Sequence, residues 1–299
     1  ISTFLIYTNL FTRPFDEITA VFSEIQTAIA SYKRTLKFIT TPIIENLPSN
    51  NRLKLPEKPN YSIEFKNVYF SYTGKPFIQD FNLYIPNGKS IAIVGKTGSG
   101  KTTIINLLNG FYEINSGEIL VNNTNIKDIN INDLRKSIGM VLQDTRIFQG
   151  TIRENIAYGK PTASIEEIKH AAKLAFADSF IEKLPDSYDT YISNSDMLSE
   201  GEVQLLNIAR IMLIKPPILI LDEATSNIDL LTENMIKKAI LKLTENSTSI
   251  IIAHRLSTIK NCDFIVFIED GNIVEVRTHD ELIYKKGAYY NMYKSQFNA

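Results

Sequence analysis

Cysteine is almost missing from this sequence. One residue in 299, Cys262, cannot close an internal disulfide, and no Cys/His cluster has zinc-ligand spacing. A disulfide-stapled scaffold and a zinc site are therefore excluded, and a reducing compartment fits. Tryptophan is absent, while Ile, Asn and Lys are used heavily, a pattern of AT-rich coding rather than of function. A charge excess is missing too. Lys+Arg is 32 and Asp+Glu is 33, for a net charge of −1. That balance gives no footprint for sequence-independent nucleic-acid binding and leaves only a local basic patch open. A long apolar run is also lacking: Ile1 to Phe11 is mostly apolar but falls short of the roughly 20 residues a bilayer span needs. The same stretch lacks the basic start and small-residue cleavage site of a signal peptide. The chain begins at Ile1 rather than Met, so the expectation is a fragment or a processed chain.

What is present starts with a helical stripe. Phe15, Ile18, Phe22, Ile25, Ile29, Tyr32, Leu36 and Ile39 alternate three- and four-residue spacings, with charged and polar residues on the other faces. Pro14 either begins this helix or kinks a longer one. Taken alone, the periodicity favours a core-facing or coiled-coil helix over the cytosolic end of a truncated transmembrane helix. Between Thr41 and Asn60 lie Pro42, Pro48, Pro56 and Pro59, which strip donors and restrict their predecessors. That composition predicts an extended linker and divides the chain into 1–40, 41–60 and 61–299.

After Asn60 the pattern turns β-rich. Ile63–Phe70, Phe81–Ile85 and Ser90–Gly95 read as strands, with turns at Thr73-Gly74 and Asn87-Gly88. The third strand runs into GKTGSGKT, Gly95 to Thr102, and a helical run follows. Strand, glycine loop and helix in this order form a phosphate-binding loop. Gly95, Gly98 and Gly100 let successive amides point at a phosphate, and the helix adds its positive end. Lys101 matches the β- and γ-phosphates and Thr102 offers a hydroxyl to Mg²⁺. Lys96, Thr97, Ser99 and Thr103 complete the nucleotide-binding set. An ordinary glycine turn before a helix is the bland alternative.

The second half of the site is Ile218 to Leu221, a continuous apolar run that predicts a strand buried on both faces. It ends in Asp222 and Glu223, at the carboxyl end where open α/β sheets bind ligands. Asp222 suits Mg²⁺, and Glu223 suits the general base that polarises water. Alone, four apolar residues before two acids say little; beside a phosphate loop they say much more.

With these motifs in place the sequence resembles the ATP-binding-cassette (ABC) transporters, and among them the exporters, from Tyr61 to Ala299. Ile138 to Ile156 looks like the family's Q-loop, which implies that Gln143 contacts Mg²⁺ or the attacking water and links the site to the membrane domain. LSEGE, Leu198 to Glu202, resembles the signature Leu-Ser-Gly-Gly-Gln, with Ser199 and Gly201 at its phosphate-contacting positions. It departs from it at Glu200, Glu202 and Val203, and an acid near a triphosphate repels it unless the side chain points away. The stretch YDTYISNSDM also lacks the usual Val-Gly-Glu-x-Gly pattern. Ser226 to Asp229 resembles the D-loop, although Asp229 equally suits the cap of the next helix. His254 stands where the family has its switch histidine, and Tyr72 where it has the aromatic that stacks on adenine. The tail follows the exporter pattern except for Arg277 in place of a usual glycine.

The resemblance implies an α/β P-loop ATPase domain with an antiparallel β subdomain near residues 61–90 and a helical subdomain near residues 150–212. It implies ATP and Mg²⁺ as cofactors and a second half-transporter as partner, the same chain or a different one, paired head to tail around two ATP molecules. It also reverses the reading of residues 1–40, which then resemble the cytosolic end of the last transmembrane helix. A plasma-membrane location with this domain on the cytoplasmic side follows, with no nucleic-acid partner. A soluble non-transport ABC ATPase and a regulatory nucleotide-binding module are the rival readings. The neutral charge and single phosphate loop weigh against the first, and intact Lys101, Glu223 and His254 against the second.

Overall fold

The computed structural model describes residues 2–41, 53–56, 61–142, 146–194, 197–222, 228–245, 247–252 and 259–297. The chain divides into two compact units, Ile1–Asn50 and Asn51–Ala299.

Among its described residues the first unit is one helix, α1 (Ser2–Thr40). It runs through Pro14 rather than beginning there, so the helix is a full three turns longer than its periodic stripe. Thr8, Thr19, Thr27 and Thr35 each turn a hydroxyl back onto the carbonyl four residues earlier, and Arg13 pairs with Glu17 one turn on. The apolar stripe from Phe15 to Ile39 is exposed along its length. Among the described residues, no helix is long and apolar enough to cross a membrane.

The second unit is built on a six-stranded sheet. Its strands are β3 (Ser90–Val94), β6 (Ile138–Val141), β9 (Ile218–Asp222), β10 (Thr248–Ile252), β11 (Phe264–Glu269) and β12 (Asn272–Arg277), in the order β12-β11-β3-β10-β9-β6. All neighbours are parallel except the β11–β12 hairpin at the edge. The reason is written in the strands: Ile91 and Ile93 pack into one apolar core while Ala92 and Val94 pack into another. Ile218 and Ile220 against Leu219 and Leu221 repeat the division. A strand with a core on each face has no polar side, hence the unbroken apolar runs.

A second sheet is antiparallel, in the order β2-β1-β4-β5, from β1 (Ile63–Phe70), β2 (Ile78–Ile85), β4 (Ser116–Val121) and β5 (Thr124–Asn125). This corrects the expected span of 61–90. The Ser90–Gly95 strand leaves for the parallel sheet because both its faces are apolar, and the chain returns after the phosphate loop to lay β4 along β1. β2 also starts three residues earlier than expected, at Ile78. Leu53 is held to this unit by its amide on the Asp128 carbonyl at 2.8 Å.

Helices cover the rest. α2 (Lys101–Leu108) packs into the core shared with the antiparallel sheet, and α3 (Ile131–Lys136) precedes β6. A helical layer follows: α4 (Ile152–Ala157), α5 (Ile165–Leu174), α6 (Asp178–Ile181) and α7 (Glu200–Ile214), with the short pair β7 (Gly150–Thr151) and β8 (Tyr191–Ile192). Thr151 with Glu154 and Ser164 with Glu167 close reciprocal capping boxes on α4 and α5. α8 (Leu230–Thr244), α9 (His279–Lys285) and α10 (Ala288–Phe297) lie further along the chain. Cys262 is buried in the larger core.

Candidate functional site

β3 delivers the chain into the loop Gly95 to Gly100, and α2 begins at Lys101. Gly98 and Gly100 are left-handed, at φ +83° and +109°, which turns the loop back on itself ahead of the helix. Lys101 is folded over this loop. Its Nζ donates to the Gly95 carbonyl at 2.8 Å and to the Lys96 carbonyl at 3.0 Å, and the residue is only 8% exposed. Burial holds its ammonium below the ordinary lysine range, and the Asp222 carboxylate pulls the other way. Asp222 therefore reaches the loop's cation from the end of β9, two strands away across β10.

Thr102 is exposed at the start of α2, while Thr103 is buried. Thr103 Oγ1 and the Tyr72 hydroxyl share a hydrogen bond of 2.9 Å. Tyr72 itself is half exposed, with its ring edge-on to Phe70 and Tyr112. Lys96 and Thr97 are exposed. Ser99 is the opposite: its Oγ is buried and has no hydrogen-bond partner. The loop thus combines a helix N-terminus, a buried cation and a hydroxyl with bonding capacity to spare, which suits an oxygen-rich anion.

A support of this loop escaped the sequence reading. The turn of the β11–β12 hairpin lies against it, with the Gly271 amide donating to the Ser99 carbonyl at 2.9 Å. Gly271 sits at φ +78°, and a Cβ there would meet the Phe77 carbonyl oxygen at 1.8 Å. Gly95 is pinned from the same side, since a Cβ on it would fall 2.2 Å from the Ile268 carbonyl oxygen. The available signal was the Asp270-Gly271 pair between alternating hydrophobics, a hairpin cue, but nothing in it names what the hairpin touches. Gly271→Ala is expected to destabilise the domain by about 3 kcal/mol through strain and overlap together. Thermal unfolding would show this as a drop of roughly 6–12 °C; an unchanged transition would remove the clamp from the account.

The signature stretch lies on the helical layer. Ser199 caps α7 by accepting from the Glu202 amide, and the Glu202 carboxylate answers by taking the Ser199 amide at 2.8 Å and the Ser199 hydroxyl at 2.9 Å. Gly201 is buried against α8: a Cβ would meet Thr232 Cγ2 at 2.4 Å and Ile228 Cγ2 at 3.1 Å. Its lack of a side chain is therefore a packing requirement between the starts of the two helices. Asp229 caps α8, accepting from the Leu231 and Thr232 amides at 3.0 Å each. Those bonds, the contact with Thr232 first, hold its carboxyl below the usual range.

Arg210, on the same helix as the signature, is a second feature the sequence reading passed over. Its buried guanidinium donates to the Asn155 carbonyl, the Asn155 side chain and the Arg146 carbonyl at 2.7, 2.7 and 2.9 Å. Asn155 in turn accepts from the Phe148 amide and donates to the Phe148 carbonyl. The segment that follows Gln143 is thereby tied to α7. Gln143, Glu223, Ser226, Asn227 and His254 lie outside the described residues. The strands leading to Gln143, Glu223 and His254 are β6, β9 and β10, and all end at the sheet edge where β3 enters the phosphate loop.

Comparison with known proteins follows the same line. Residues 78–226 match the family described as ABC transporter. An uncharacterized ABC transporter ATP-binding protein of Bacillus subtilis is 46% identical over 99% of this chain and 49% of its own length. A fatty acid ABC transporter ATP-binding/permease protein of Mycobacterium bovis is 44% identical over 98% of this chain and 46% of its own. A bacterial Atm1-family ABC exporter solved with ATP bound superposes with a TM-score of 0.76 at 35% identity, covering 97% of this chain and 50% of that one. The chain spans about half the length of the relatives it matches.

Proposed function

Because this chain belongs to the ABC transporter family and carries its ATPase domain, we propose that it powers a membrane exporter, with residues 61–299 as the ATPase. Residues 1–40 would then be the cytosolic end of the last transmembrane helix and residues 41–60 the linker to it. The observation that carries this reading is the phosphate loop itself, with Lys101 drawn over it and Asp222 acting on that lysine from a neighbouring strand.

Each residue then has a task. Tyr72 stacks on adenine, steadied by its bond to Thr103. The amides of Gly95 to Gly100, with Lys96, Thr97, Ser99 and Thr103 around them, wrap the phosphates, and Lys101 neutralises the β and γ oxygens. Glu223 takes the proton of the water that attacks the γ-phosphorus, so that the bond to the ADP oxygen breaks. His254 and Gln143 orient the γ-phosphate and that water. Thr102, Asp222 and Gln143 offer the hard oxygen donors that suit Mg²⁺, which when bound supplies positive charge to the β and γ oxygens.

Ser199, Gly201 and Asp229 would serve the ATP held by a partner. Two ATPase domains would meet head to tail, close on ATP and reopen after hydrolysis, resetting the membrane part. Glu223 and His254 together with the altered signature favour pairing with a different half-transporter, whose own catalytic carboxylate is degenerate. The named relatives support a membrane location over a soluble ATPase or a regulatory module, and this domain would then lie on the cytoplasmic side. The cargo is contacted mainly by membrane helices, and drugs, lipids and peptides all fit this domain equally.

Co-expression of the full-length protein with two different tags tests the assembly. Failure of the tags to co-purify is expected for an obligate pair with a different chain. A stable self-dimer with two equally active sites would overturn that part and leave the homodimer.

A further inference from the structure

The signature end of α7 is closed by its own carboxylate. A serine hydroxyl has one proton to donate, and in this chain Ser199 gives it to Glu202 Oε2 at 2.9 Å. The same oxygen takes the Ser199 amide at 2.8 Å. The Glu202 amide, another donor of the first turn, is spent on Ser199 Oγ at 3.3 Å. Glu202 and Glu200 also place two negative charges on the helix end that would otherwise favour an anion. Thr151 with Glu154, Ser164 with Glu167 and Thr278 with Glu281 form the same reciprocal box on helices with no phosphate-binding task, so the arrangement is a complete structural cap needing nothing from outside.

We propose that Glu202 is a positioning residue that sets how much ATP is needed to close this half of the dimer, because its carboxylate must release the Ser199 hydroxyl before a partner-bound phosphate can take it. The inference rests on the reading above that Ser199 faces the nucleotide of a partner domain. It resolves where the unusual acid points: back onto the serine, in competition with the phosphate, rather than away from it. Glutamine at this position keeps the reciprocal cap, since Gln and Glu both close the box, but removes the charge and weakens the hold on the hydroxyl. The signature residue the family usually carries would thus make a more permissive half-site than the one found here.

The test uses the assembled full-length transporter carrying Glu223→Gln so that ATP is not consumed. Glu202→Gln is expected to lower the ATP concentration for half-maximal closure of the two ATPase domains by about fivefold, the size of a helix-terminus charge effect. Binding of a fluorescent ADP analogue to the chain's own phosphate loop should not change. If Glu202 were only a cap, its replacement would leave closure unchanged or weaken it, so a midpoint that stays or rises overturns the inference. Ser199→Ala separates this from failure of the underlying reading. If Ser199→Ala leaves the midpoint untouched, Ser199 does not face a nucleotide and both statements fall. If Ser199→Ala weakens closure while Glu202→Gln changes nothing, only the inference falls. Glu202→Ala, which loses the cap as well as the charge, should lower the melting temperature and still close at lower ATP than the parent.

Discussion

Replacing Glu223 by Gln is expected to leave ATP binding intact and to slow hydrolysis by roughly 10²–10⁴-fold, the usual contribution of a positioned general base. The amide keeps the shape of the carboxylate but has no affinity for a proton, so the attacking water stays neutral. Nothing in the phosphate loop changes: Lys101 remains on the Gly95 and Lys96 carbonyls, and Asp222 still acts on it from the end of β9. The consequence is a trapped state, because closure driven by ATP is no longer undone by turnover. Single-turnover hydrolysis and size-exclusion chromatography with ATP read the two effects separately. Hydrolysis near the parent rate would remove Glu223 from the role of base, and loss of binding would show that it also holds the nucleotide.

Lys101→Ala should act one step earlier. It removes a buried cation whose charge-assisted contacts to phosphate are worth roughly 3 kcal/mol, or about 100-fold in affinity. It also removes the two bonds that draw the loop together, at 2.8 and 3.0 Å, so the empty loop should loosen as well. Titration calorimetry with ATP measures the first effect, and amide exchange across Gly95 to Gly100 the second. Lys101→Arg is the informative control. It keeps the charge, but a planar guanidinium cannot repeat two carbonyl contacts made by a compact ammonium in a site 8% exposed. Partial loss in Arg and near-complete loss in Ala is the expected order; equal binding in all three would show that the loop amides alone carry the phosphates.

The parts of this architecture visible in the sequence are those whose cause is local. GKTGSGKT is a continuous stretch that binds through its own backbone, and its strand and helix adjoin it. The apolar run of β9 told of cores on both faces, which the division of Ile218 and Ile220 from Leu219 and Leu221 bears out. What stayed hidden is the pairing of distant segments. β4 lies along β1 although two strands and a helix separate them in the chain, so the antiparallel sheet could not be bounded from residues 61–90. The contact of Gly271 with Phe77 and Ser99 joins positions 172 and more residues apart, and no composition cue reaches that far. The direction of Glu202 was also illegible at first, because a carboxylate three residues into a helix has both a cap and a solvent face to choose from.

The lone thiol carries a practical consequence. Cys262 is only 8% exposed, packed in the larger core. A reagent that labels surface sulfhydryls will therefore pass over the native chain. Within residues 1–299, a cysteine introduced at Tyr284, 91% exposed on α9, becomes the one addressable position. Spin or fluorophore pairs placed this way can report how two ATPase domains approach and part during turnover, with no residue of this segment removed to silence a background.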